Sequence, residues 1–499
     1  MHFRREGRTA GLSYGRVETE ESTNRSGEPR LPAVVALAGF LVASSLALTA
    51  HATPSDRHIV RIKPNLNGLS VIQQVCQIVG CSAVRTLDAS PNGSPLTQGS
   101  LFLVTSALPL DASAFLTPLL QLVGVAAAEP DLLVALREAA SPEGPTADLQ
   151  SPSVTDYLWR RTPQSYYGSS AWEGYLQQPA VSIVRLRDAQ CAFSTSGVGL
   201  VAIVDTGIDA SHPAFGGVVK WGYDFTRDSA GGDEKADVEQ ESAALLDGTD
   251  VYQVNQESAA LLDQESAALL DNPDYVAFGH GTMVAGVVHL VAPTAEIMPL
   301  KAFRADGSGY LSDILRALYY AIQKNADVIN MSFSRPTQSA ELKRVIDQAA
   351  LGGAVAVSSA GNEGLQTLRW PAALDNVVGV ASTSNQDARS SFSNYGNDLV
   401  WLAAPGEGVV TTYPWGTYAA AWGTSFSTPF AAGTAALFVG LNSPISQAQA
   451  AAALAQAEPV SGGLGWGRLD VFRAVPAGLL LWPNPAPVTS GGPCQLPPP

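Results

Sequence analysis

The 499-residue chain carries 29 Lys and Arg against 45 Asp and Glu, a formal charge of −16, and 46% of its residues are hydrophobic. That length exceeds one ordinary domain and leaves room for two or three folded units with at least one large core. The acidic balance excludes nucleic-acid binding through clustered Lys and Arg and fits a soluble, self-repelling protein.

The first element in chain order is a polar stretch, 1–30, followed by the uncharged run LPAVVALAGFLVASSLALTAHA at 31–52. Small residues at Ala50 and Ala52 predict a secretory signal cleaved before Thr53. The alternative is a retained anchor, because the run approaches the lower limit for crossing a bilayer. Either reading predicts a secreted protein or one held on the outer face of the membrane. Four cysteines, Cys76, Cys81, Cys191 and Cys494, permit two disulfides. Pairing Cys76 with Cys81 and Cys191 with Cys494 is economical, since it survives a cut between the two halves.

Residues 57–134 predict a small α+β unit. RHIVRIKP alternates as a half-buried strand, SVIQQVCQIVG has helical spacing, SAVRTL and SLFLVTS read as strands, DASAFLTPLLQLVG reads as a capped helix, and VAAAEPDLLV closes the unit. That order is the split βαβ, ferredoxin-like arrangement. Residues 141–170 lack periodicity and predict an accessible linker. From 171 to 475 apolar strands (GVGLVAIVD, AEIMPLKAF, ADVINMSF, GAVAVSSAG) alternate with helices, which implies a parallel sheet covered on both faces. The octad QESAALLD recurs at 240–247, 256–263 and 264–271. Its period of eight cannot keep one helical stripe, so 240–271 reads as a partly helical surface insertion, or as a partner-binding loop. Residues 476–499, rich in Pro and Gly, predict an irregular tail.

Three strings carry chemistry. VAIVDTGIDASHP puts Asp205 at the carboxyl end of an apolar strand, GHGTMVAGVV sets His280 between glycines, and GTSFSTPFAAGTAAL places Ser425 at a helix start. Singly they read as a turn residue, a structural histidine and a cap. Together they supply acid, base and nucleophile in the order Asp, His, Ser. A serine hydroxyl needs a base, histidine titrates near neutrality, and an aspartate fixes its tautomer. His212 and His289 are weaker candidates for that base. The histidines show no H-E-x-x-H spacing, which argues against a zinc peptidase. GAVAVSSAGNEG ends a strand at Asn362, whose amide can donate to an oxyanion beside the Ser425 N–H.

DTGID, GHGTMVAG, SSAGNEG and GTSFSTP resemble the Asp, His, Asn and Ser motifs of the subtilisin-like serine proteases, the subtilases, and the resemblance runs from about Trp172 to Val475. It implies a three-layer α/β subtilisin-like fold with a central parallel sheet. It also implies a serine endopeptidase in which Gly307, Ser308 and Gly309 line one edge of the cleft and Ser332, Phe333 and Ser334 the other. Polypeptide substrates would add between these edges as a strand. No cofactor is implied for catalysis, and structural calcium has no assignable ligands. Residues 57–134 resemble the family's inhibitory propeptide, which implies a self-processed zymogen cut between about Leu136 and Thr162. Phe426, Ser427 and Ser334 depart from the family's usual Met, Ala and Gly. The rivals are a catalytically inactive subtilase-like binding protein and an esterase or acyl transferase on the same scaffold. N-terminal sequencing of an exported Ser425→Ala precursor is expected to read Thr53 first; an uncut 31–52 in the membrane fraction would identify the anchor instead.

Overall fold

The computed structural model describes residues 55–89 except 65, 101–110, 117–136 except 123, 152–238, 251–253, 261–263, 274–441 and 445–480. The signal or anchor expected at 1–52, Cys494 and most of the octads lie outside these residues. No helix among the described residues is long and apolar enough to cross a membrane.

The amino-terminal part is an antiparallel sheet of β1 (Ser55–Ile62), β2 (Cys81–Thr86), β3 (Leu101–Leu110) and β4 (Val125–Pro130), in the order β2-β3-β1-β4. Helix Gly68–Val79 joins β1 to β2, as the split βαβ order requires, and Asn67 caps it by accepting from the Ser70 N–H. Val71, Ile72 and Val75 pack on Val60, Phe102 and Val104, so one face of the sheet forms its own core. Cys76 and Cys81 form a disulfide across the turn between helix and strand.

After the hairpin of β6 (Pro163–Tyr166) and β7 (Ser169–Trp172), the large sheet takes β8 (Leu200–Asp205), β9 (Gly222–Asp224), β10 (Ser229–Gly231), β13 (Glu296–Lys301), β15 (Val328–Met331), β16 (Val355–Ser359), β17 (Val378–Thr383) and β18 (Leu402–Pro405). Its order is β10-β9-β13-β8-β15-β16-β17-β18, and the strands are parallel except the edge strand β10. Alternation along β8 sends Val201 and Ile203 to one face and Ala202 and Val204 to the other. Helices His280–Val291 and Thr424–Leu441 cover the first face, and Leu311–Gln323 and Ala340–Leu351 the second. Two apolar faces account for the near-continuous hydrophobic strands.

The second helix pair also seats the amino-terminal sheet. Asp131 accepts from the Ser312 N–H (2.7 Å) and hydroxyl (2.8 Å) at the start of helix Leu311–Gln323, and from Arg57 Nε (2.9 Å). Glu129 accepts from the Ser339 hydroxyl (2.7 Å) and the Ala340 and Glu341 N–H groups (both 3.3 Å) at the start of helix Ala340–Leu351. Each carboxylate meets the positive end of a helix dipole. Arg61 reaches across to Glu341 (2.5 Å) and the Tyr319 hydroxyl (2.9 Å).

Three expectations change. The stretch expected as a linker, 141–170, holds a helix over Pro152–Trp159 and then β6, and the Tyr166 hydroxyl donates to the Leu290 carbonyl at 2.6 Å. Composition reads as linker there, but tertiary burial of Leu158 and Tyr166 orders it. The tail expected to be irregular from 476 begins inside helix Val471–Leu480, which continues past Pro476; residues 481–499 lie outside the described set. The six described residues of the octad region are strands rather than helix, β11 (Val251–Gln253) paired with β12 (Leu261–Asp263).

Arg61→Ala in the full chain, with Ser425→Ala to prevent cutting, is expected to destabilise the amino-terminal part by about 3 kcal/mol, because it strands a buried carboxylate. Lys343→Ala, at a half-exposed pair with Asp347, is expected to cost less than about 1 kcal/mol. Denaturant unfolding checks both, and equal losses would contradict the burial argument.

Candidate active site

Parallel strands deliver their carboxyl ends to one edge of the sheet. Asp205 ends β8, Ser332–Ser334 follow β15, and Asn362 follows β16. Asp205 Oδ1 lies 2.6 Å from His280 Nδ1, both side chains being buried, and accepts the Thr206 N–H at 2.7 Å. His280 opens a helix whose twelve residues are all buried, as its all-round apolar sequence dictates. Close approach of that helix to the Asp205 turn needs Gly281, since a Cβ there would stand 2.0 Å from the Gly207 carbonyl oxygen.

Ser425 lies in the first turn of helix Thr424–Leu441, which packs along the His280 helix. Phe426 is fully buried and its ring lies against the His280 ring, centroids 5.4 Å apart. Pro429 has no N–H to give the carbonyl four residues earlier. That carbonyl, of Ser425, accepts instead from the Ser332 hydroxyl at 2.9 Å. Ser425 Oγ in turn donates to the Ser332 carbonyl at 3.2 Å. Nucleophile helix and strand edge are thus tied in both directions.

Asn362 is oriented by Thr424. Its carboxamide oxygen accepts the Thr424 N–H and hydroxyl, both at 2.9 Å, and Asn362 lines the pocket shared with Ser425, Ser332 and Ser334. Leu136 lines the same pocket. Strand β5 (Leu133–Ala135) pairs antiparallel with β14 (Ser308–Tyr310), Val134 opposite Gly309 and Ala135 opposite Ser308, and the Leu136 N–H donates to the Gly307 carbonyl at 2.9 Å. Val134 and Leu136 are buried while Leu133 and Ala135 are exposed. The Gly307–Gly309 edge therefore holds a strand of the protein's own chain, and Phe333 is buried in the cluster beside Val134 and Leu136.

His212 and His289, the other two histidines of the peptidase part, lie away from this pocket. His212 Nε2 faces the Thr417 carbonyl at 2.8 Å while its Nδ1 accepts the Ala214 N–H. Burial pushes His212 down to about 4 and His289 down to about 3. Among the described residues no group of three or more His, Cys, Asp or Glu is placed to hold a metal ion. Two contributors were not read from the sequence. Thr424 adjoins Ser425 in GTSFSTP, so a local signal existed; Glu234, which receives the Gly279 N–H at 2.9 Å, sits in an ordinary acidic turn with none.

A parallel sheet that gathers a carboxylate, an imidazole and a helix-start serine at its carboxyl edge is the architecture of a serine hydrolase. The subtilase family model matches residues 197–468. Thermitase from Thermoactinomyces vulgaris is 32% identical over 288 residues, 55% of this chain and 88% of thermitase. Subtilisin NAT from Bacillus subtilis subsp. natto is 33% identical over 262 residues, 50% of this chain and 57% of that protein. A solved structure of a cold adapted subtilisin-like serine proteinase is 28% identical, covers 56% of this chain and 90% of its own, and has a TM-score of 0.44. The chain belongs to the subtilase family, and it is a serine endopeptidase. Subtilases need no cofactor for the chemical step.

With both shifted downward by burial, His212 and His289 are expected to stay neutral through the range near pH 6.5 where a free imidazole charges. NMR titration of the histidine resonances checks this, and either ring titrating near 6.5 would contradict it.

Proposed function

We propose that Ser425 attacks the peptide carbonyl, that His280 takes its proton through Nε2, and that Asp205 holds the Nδ1–H tautomer and stabilises the imidazolium. The Asn362 amide and the Ser425 N–H receive the oxyanion, His280 returns the proton to the leaving amine, and water then hydrolyses the acyl-enzyme by the same route. Loss of one oxyanion donor is expected to cost about 100–1,000-fold in kcat.

In this reading the protein is exported, with 1–52 as signal or anchor, and 57–134 acts as an intramolecular inhibitor until self-cleavage. The observation that carries it is the antiparallel pairing of β5 with β14, which leads the chain to Leu136 beside Ser425 and Asn362. A peptide bound as a strand between two backbone edges is what an endopeptidase cleft is built to take. The inhibitor's grip comes from Glu129 and Asp131 at two helix starts and from Arg61 on Glu341. The cut is expected between Leu136, the last described residue beside the pocket, and Pro152, since the chain from the Pro152–Trp159 helix onward packs into the peptidase body. Helix Val471–Leu480 is the last described element of the peptidase body.

Purified wild-type protein is expected to begin within 137–152 by N-terminal sequencing and intact mass, while Ser425→Ala keeps residues 57–134 attached. A Ser425→Ala protein that matures in isolation would sink the self-processing claim.

A further inference from the structure

Behind the Asp–His pair lies a second carboxylate, that of Glu234, with no exposed surface. Four donors converge on it: the Thr206 hydroxyl, the Gly279 N–H (2.9 Å), the Thr282 N–H (3.1 Å) and the Thr282 hydroxyl (2.6 Å). They come from two elements. Thr206 belongs to the turn that follows Asp205; Gly279 and Thr282 form the start of the helix that begins at His280. Thr206 Oγ1 also accepts the Gly281 N–H at 2.9 Å, and the Thr206 N–H donates to Asp205. A carboxylate at a helix start satisfies orphan N–H groups and meets the positive end of the dipole. Here the same carboxylate grips the neighbouring turn as well.

The turn that supplies Glu234 is held independently. Glu234–Asp237 is a single 3₁₀ turn, and Asp237 pairs with the fully buried Lys301 at 2.6 Å. Lys301 Nζ also donates to the Thr206 carbonyl (2.7 Å) and the Phe303 carbonyl (2.8 Å). Glu234 is thereby set against a fixed frame. The charged groups that act on it are Lys301 on β13 and Asp205 on β8, and His280 directly follows Gly279, whose N–H Glu234 accepts.

We propose that Glu234 is a positioning residue for the Asp205–His280 pair: its carboxylate locks the His280 helix start to the Asp205 turn and adds a negative charge at the helix start that carries the imidazolium formed in catalysis. This rests on the assignment of Asp205, His280 and Ser425 to the reaction. Burial pushes the Glu234 carboxyl up to about 7, against the opposing pull of the Thr206 and Thr282 hydroxyls and Lys301. Its charge is therefore complete only on the alkaline side of neutrality, where the imidazole must be neutral to act as base.

The test compares Glu234→Gln, Thr206→Val and Ser425→Ala with the parent, each made from the full chain. Active sites are titrated with a fluorophosphonate, kcat and KM are read on a peptide anilide, and kcat/KM is followed with pH. Glu234→Gln is expected to lower kcat about 10–100-fold with KM within about threefold, and to move the acid limb of the profile to lower pH. Thr206→Val, which removes one donor to Glu234 and the acceptor for Gly281, is expected to lower kcat about 3–10-fold, and it decides the question if Glu234→Gln does not fold. A kcat within about twofold of the parent and an unmoved pH profile, whatever the change in Tm, would overturn the proposal. Ser425→Ala separates the two readings: turnover retained there removes the catalytic assignment itself, whereas turnover lost there but kept in Glu234→Gln removes only the role of Glu234.

Discussion

The contact between the Asp205 carboxylate and the His280 imidazole, at 2.6 Å, joins the end of a strand to the start of a helix that lie far apart in sequence. Nothing local brings them together. The distance is set by glycines at the crossing, where a Cβ on Gly281 would collide with Gly207 and one on Gly279 would meet the Tyr413 ring at 2.1 Å. It is also set by the hydrogen bonds that anchor the helix start, and by a helix with no polar face to expose. The parallel sheet then does the rest, since its adjacent strands β8, β15 and β16 discharge their ends toward the same edge.

The same backbone geometry gives the amino-terminal part a place to bind. Edge strand β14 has backbone groups to share, and β5 takes them. Two helices start on the face beside it, and Asp131 and Glu129 satisfy their first N–H groups. In the proposed zymogen, inhibition and substrate recognition use one set of main-chain contacts. Dissociation of the cut segment then frees a cleft that is already formed.

Much of this was legible in the sequence because the chemistry is carried by short strings. DTGID, GHGT, SSAGN and GTS each combine a reactive side chain with the glycine or small residue that its backbone position demands. The strands β8, β13, β15 and β16 were equally plain, being uninterrupted apolar runs. What escaped was structure made by tertiary context. The Pro152–Trp159 helix and the β6–β7 hairpin are built from Ser, Pro, Thr and Tyr, and burial of Leu158 and Tyr166 orders them where local propensity does not. Helix Val471–Leu480 runs through Pro476, which a local rule treats as a stop. Glu234 left no trace because an acidic residue in an acidic turn looks solvated; only the fold shows four donors pointing at it.

The central claim is that Ser425, activated by His280 and Asp205, is the nucleophile. Covalent labelling of the matured protein with a fluorophosphonate, followed by peptide mass spectrometry, tests it most directly. One adduct is expected, on Ser425, and it is lost in His280→Ala. Absence of an adduct on Ser425 in the folded, matured chain, or an adduct on another serine, would contradict it.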